Sequence, residues 1–211
     1  MKHKLIVNRI AHYYHEPAEG PTKGIIIAIH GYAQLASVFI KDFKELSSYG
    51  YAVYAPEAFS KFYNRDQKPV ASWMTSHERE DEIGDYSEYL EKLILLIIEK
   101  NPSTPIHLVG FSQGVSTVLR WYASSTTLAV TVHLIAGSIP EELSSENLKQ
   151  LTANKYYYYH GKKDRLVKEN QAHDYLKQLT AIGIDYNTIS FDGRHEVPRE
   201  LIEVFKNYKR S

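Results

Sequence analysis

The chain has 211 residues, with 25 Lys and Arg against 25 Asp and Glu, so its formal charge is zero and no charge excess points to nucleic acid or an anionic surface. Hydrophobic residues at 43% and charged residues at 24% fit an ordinary globular protein, and the length predicts one domain over residues 1–211. There is no cysteine, which excludes disulfides, thiolate catalysis and cysteine-based metal sites.

In chain order, Leu5, Ile6 and Val7 follow the first charges, too short an apolar run for a signal peptide. The longest strongly apolar run, Leu93–Ile98, is too short to span a bilayer, so a cytoplasmic protein with no membrane span is expected. Leu5–Tyr14 reads as an extra strand paired antiparallel at a sheet edge. Six further runs are short, rich in β-branched or aromatic residues and bounded by turn formers: Gly24–His30, Tyr51–Ala55, Pro105–Val109, Val130–Ala136, Lys155–His160 and Ile184–Phe191. They lack clean alternation, which predicts strands covered on both faces of a parallel sheet. The 17 tyrosines include four in a row at Tyr156–Tyr159, read as strand residues at the rim of the sheet.

Five helical stripes lie between or after these runs: Leu35 to Leu46, Ile83 to Ile97, Val115 to Tyr122, Ala172 to Leu179 and Val197 to Tyr208. The alternation predicts a mostly parallel, doubly wound α/β sheet with helices on both faces. Two connections are long, Pro56–Glu78 and Gly137–Asn154, and both begin at strand carboxyl ends, where such sheets bind ligands. Pro56–Glu78 carries Phe59, Phe62, Tyr63, Trp73 and Met74. Of these, Phe59, Tyr63, Trp73 and Met74 are the candidate substrate-binding residues. His12, His15 and His77 suggest no metal, because residues three apart on a strand face opposite ways.

The sequence Ile106–Val109 reads as a strand, Gly110-Phe111-Ser112-Gln113-Gly114 follows at once, and a helical stripe follows that. A sharp strand-to-helix turn of this kind exposes the central hydroxyl, and glycines two before and two after relieve crowding there. A serine needs a base to take its proton. His195 follows the Ile184–Phe191 strand, and Asp164 follows Lys155–His160, placed to fix the imidazole tautomer. An acyl-transfer site also needs two N–H groups for the developing oxyanion. Gln113, after the serine, and Tyr32, in the loop His30-Gly31-Tyr32-Ala33, are expected to supply them from the main chain. His30 is expected to tie that loop structurally.

The set His30-Gly31, Gly110-Phe111-Ser112-Gln113-Gly114, His160-Gly161 with Asp164 and Val167, and Gly193 with His195-Glu196 resembles the phospholipase/carboxylesterase group of α/β-hydrolases. That group includes the acyl-protein thioesterases and small bacterial predicted esterases. The likeness runs from about Gly24 to Phe205. It departs at Val115, where such thioesterases often carry a second glycine, and at Lys168, where proline is common. The resemblance implies an α/β-hydrolase fold with minimal or no cap domain, a triad of Ser112, Asp164 and His195, oxyanion donors at Tyr32 and Gln113, and no cofactor. It implies hydrolysis of an ester or a thioester, and a chain too short for a large cap domain predicts a rather open site and a small or medium acyl group. A serine peptidase or acyltransferase on the same fold, or a binding protein without turnover, is the alternative.

Overall fold

The protein is described by a computed structural model over residues 1–125, 129–143 and 155–208. In chain order these are β1 (Tyr13–Glu16), β2 (Gly24–Ile29), α1 (Ala36–Phe39), which runs on into a 3-10 helix (Ile40–Tyr49), β3 (Tyr51–Pro56), β4 (Ser60–Tyr63), β5 (Pro69–Ser72), α2 (Arg79–Lys100), β6 (Ile106–Phe111), α3 (Gln113–Ser124), β7 (Thr131–Ile135), β8 (Lys155–Gly161), α4 (Glu169–Ala181), β9 (Tyr186–Phe191) and α5 (Arg199–Lys206).

The main sheet has the order β1-β3-β2-β6-β7-β8-β9, parallel except for β1. The unbroken apolar run of β2 has its cause in this architecture. Ile25, Ile27 and Ile29 face a core formed with α2, α3 and α4, whereas Ile26 and Ala28 face one formed with α1, the 3-10 helix and α5. With both faces covered, the strand has no position for a polar side chain. The chain leaves β2 toward β3 on one side and returns to β6 on the other. The carboxyl ends of β2 and β6 therefore lie side by side at the topological switch point, where such sheets bind ligands.

Three expectations change. The antiparallel edge strand exists, but it is Tyr13–Glu16, in register with Val53–Pro56. Residues 5–10 form no strand, and Leu5, Ile6, Val7 and Ile10 are exposed. Their apolar positions do not alternate, whereas β1 gains main-chain pairing and a stack of His15 on Tyr54 at 4.1 Å. The tyrosine run is not a rim. Tyr156, Tyr158 and Tyr159 are buried, and their strand has neighbours on both sides. Tyr158 donates to Gly137 O at 3.1 Å, and the Tyr159 hydroxyl lies 2.8 Å from His133 Nδ1, so the polar tips are satisfied inside the core. Finally, the long connection after β3 contains a separate antiparallel hairpin, β4–β5. The other long connection, Gly137–Asn154, lies outside the described residues from 144 onward.

A buried polar chain crosses the sheet under α5. His107 Nδ1 lies 2.7 Å from Thr131 Oγ1, which lies 2.8 Å from His133 Nε2. Burial holds His107 at a pKa of about 3 and His133 well below the usual histidine value, so both are neutral.

Candidate active site

The turn after β6 is under strain. Ser112 adopts φ 54° and ψ −117°, sparsely populated for a non-glycine residue. The surroundings enforce it. Ser112 N–H donates to Ile135 O at 2.9 Å and Val115 N–H donates to Ser112 O at 3.0 Å. A Cβ on Gly110 would lie 2.6 Å from Gly114 O, and one on Gly114 would lie 2.2 Å from Ile29 O. The two glycines of the motif thus let β6, α3 and the end of β2 meet. A Cβ on Gly137 would lie 2.3 Å from Ser112 O and 2.5 Å from Val115 Cβ. Bare backbone at Gly137 leaves room for the valine that departs from the thioesterase-like pattern.

The next loops stand two and three strands away. After β8, Asp164 is buried. Its Oδ1 accepts from Leu166 N–H at 2.8 Å and Val167 N–H at 3.0 Å, and its Oδ2 lies 2.8 Å from His195 Nδ1. A carboxylate held by three donors is fixed in place and stays an acceptor. The loop after β9 is stitched to it: Lys162 N–H donates to Phe191 O and Lys163 N–H to Gly193 O, both at 2.9 Å. A Cβ on Gly161 would meet Arg194 O at 2.4 Å, so only glycine allows this approach. The His195 ring packs beside Phe111, the neighbour of Ser112, with centroids 4.9 Å apart. The structure thus brings Asp164 against His195, and places the His195 ring beside the residue that precedes Ser112.

The loop after β2 lies against the serine turn. His30 is fully buried, and burial lowers its pKa to about 4, so the ring is neutral. Its Nε2 accepts from Ala58 N–H at 3.2 Å, which leaves the proton on Nδ1, 2.7 Å from Gly31 O. This is the structural tie expected of His30. Gly31 stands close to the serine, since a Cβ there would lie 3.1 Å from Ser112 Cβ. Tyr32 follows with an exposed side chain. Gln113 is the first residue of α3, so its N–H is among the first-turn donors that intrahelical bonding leaves open.

The candidate wall residues separate into two groups. Trp73 is buried against His30 and donates from Nε1 to His30 O at 2.9 Å. Met74 is half-buried, and its carbonyl accepts from Gln113 Nε2 at 2.9 Å. Phe59 instead packs on Tyr89 of α2, with the Arg9 guanidinium over its ring at 4.7 Å. Tyr63 is exposed at the end of β4. Phe62, another aromatic of the same connection, lies against Tyr32 with the rings tilted and their centroids 5.4 Å apart. No spacing rule links residues so far apart in the chain.

The sequence matches the serine hydrolase (FSH1) family over residues 21–204. The chain belongs to that family. The crystal structures that resemble this serine hydrolase include acyl-protein thioesterase 2 of Zea mays, at 18% identity over 93% of this chain and 97% of that one, with a TM-score of 0.72. They include esterase PE8, at 19% identity over 93% and 96%, with a TM-score of 0.69. SOBER1 of Arabidopsis thaliana is similar at 16% identity over 87% and 95%, with a TM-score of 0.67. At such identities the likeness shows the fold, and that fold is the α/β-hydrolase one. The resemblance to thioesterases and small esterases read from the motifs agrees with it. No curated protein matches the sequence significantly.

Proposed function

We propose that this serine hydrolase cleaves carboxylic esters of small or medium acyl groups through Ser112, His195 and Asp164. The observation that carries the reading is the 2.8 Å contact between His195 Nδ1 and Asp164 Oδ2, with the His195 ring beside Phe111, the residue before the strained Ser112. That contact holds the imidazole with its proton on Nδ1, so Nε2 is free to act as a base. As Ser112 Oγ bonds to the substrate carbonyl carbon, its proton passes to His195 Nε2 and the carbonyl electrons move onto oxygen. The N–H groups of Tyr32 and Gln113 bind that oxyanion. Collapse breaks the bond to the leaving group, which takes the proton from His195. Water then repeats the cycle on the acyl-enzyme, with His195 again as base, and releases the acid.

Tyr32, next to the Gly31 that approaches Ser112, is exposed, which supports an open site and an acyl group of modest size. The fold shared with an acyl-protein thioesterase makes a thioester the second substrate to test. The first experiment is labelling with a fluorophosphonate, with Ser112→Ala as control, followed by p-nitrophenyl esters of increasing acyl length and a matched thioester. Wild type is expected to label and turn over the short esters, and Ser112→Ala to do neither. Folded wild type that stays unlabelled would overturn the reading.

A further inference from the structure

We propose that the Gln113 side chain is a positioning residue for the oxyanion hole: it clamps the segment after β5 and, through that segment, the loop that carries Tyr32. The inference rests on the assignment of the Tyr32 and Gln113 N–H groups just made, and adds that one brace holds both.

The amide of Gln113 is held by main-chain groups of Trp73 and Met74 and by the Ser72 hydroxyl, all more than 35 residues away. Oε1 accepts from Trp73 N–H at 3.1 Å and Nε2 donates to Met74 O at 2.9 Å. These two partners fix which end of the amide is which. Ser72 Oγ lies 3.2 Å from both ends of the amide and 3.0 Å from Met74 O. The same short segment then reaches the other donor. Ala33 N–H donates to Ala71 O at 2.9 Å, Ala71 N–H donates to Gln34 O at 3.0 Å, and Trp73 Nε1–H donates to His30 O. Within the loop, Gln34 Oε1 accepts from Gly31 N–H at 2.8 Å. Residues 71–73 thus bond the loop on both flanks of Tyr32 while holding the side chain of the residue that carries the second donor.

The loop needs such support. Ala33 has φ 57°, a left-handed conformation that is unfavourable for a non-glycine residue. Its N–H bond to β5 helps to hold it there. Ala71, Ser72 and Trp73 are buried, so a partner lost from this network leaves a polar group without water. An oxyanion hole tolerates displacement of its donors by only about 0.5 Å, whereas a carbonyl substrate in its ground state makes weaker use of them. A loosened brace therefore lowers kcat more than it raises KM.

The test compares wild type, Gln113→Met and Ser72→Ala. Methionine keeps the length and the main-chain N–H of Gln113 and removes both amide bonds. Steady-state hydrolysis of p-nitrophenyl butyrate is normalised to sites titrated with a fluorophosphonate, and folding is checked by circular dichroism. Gln113→Met is expected to lose about tenfold or more in kcat per titrated site while KM stays within about threefold. Ser72→Ala is expected to lose about threefold with the same split, and it decides the matter if Gln113→Met does not fold. A folded variant whose kcat per site stays within about twofold of wild type, or whose loss lies in KM, overturns the brace. Wild type without turnover overturns the underlying assignment as well, which tells the two failures apart.

Discussion

At the scale of single residues, chemistry depends on side chains held where they would not settle alone. Ser112 is kept in a strained backbone conformation by the bonds that flank it, and the three contacts of the Asp164 carboxylate fix it and the His195 ring. Asp164→Asn keeps the size but offers an N–H where an acceptor is needed, so the wrong imidazole tautomer is favoured. It is expected to lower kcat by about 10⁴-fold with the fold retained, as steady-state kinetics and a melting curve will show. The contact of Asp164 with His195 was legible because each residue follows a recognisable strand end. The side-chain role of Gln113 was not, because its partners Trp73 and Met74 lie 40 and 39 positions away and no local pattern links them.

At the scale of elements, long helical stripes and continuous apolar runs were readable, and the four-residue strands of the hairpin were not. The stripe from Ile83 to Ile97 falls within α2, and the run from Gly24 became β2. The four-residue strands β4 and β5 are too short to show alternation, and their pairing depends on each other. The loops after β8 and β9 show what such pairing does for the site, since the approach at Gly161 keeps Asp164 against His195. Gly161→Ala places a Cβ 2.4 Å from Arg194 O, a backbone atom that moves only with its loop. It is expected to destabilise the protein by about 1–3 kcal/mol, measured by urea unfolding. It is also expected to slow fluorophosphonate labelling of Ser112. A variant equal to wild type in both would show that the loops are not so closely coupled.

At the scale of the whole molecule, buried neutral histidines set a limit on the acid side. His30, His107 and His133 have depressed pKa values in the fold, about 4 and about 3 for the first two, because burial disfavours the charged ring. In the unfolded chain they titrate near the ordinary value of about 6.5. Their neutral state costs nothing above that pH. As pH falls below it, the unfolded chain gains protons that the fold refuses, and each such histidine removes about 1.4 kcal/mol per pH unit until its folded pKa is reached. Urea midpoints are expected to be level from pH 7 to 8 and to fall steeply from pH 6 to 4.5. A midpoint at pH 5 equal to that at pH 7.5 would contradict this account.

The hairpin that joins residues 71–73 to the loops at 31–34 and at 113 has a consequence for the order of events in folding. Helices such as α2 form from neighbours in the chain, but these contacts join segments some 40 residues apart, and closures of that length come late. After dilution from denaturant, the far-ultraviolet helix signal is therefore expected to recover before Ser112 regains its reactivity. A short pulse of fluorophosphonate at successive times would read the lag directly. A newly made chain could then look folded by its helices and still be unreactive.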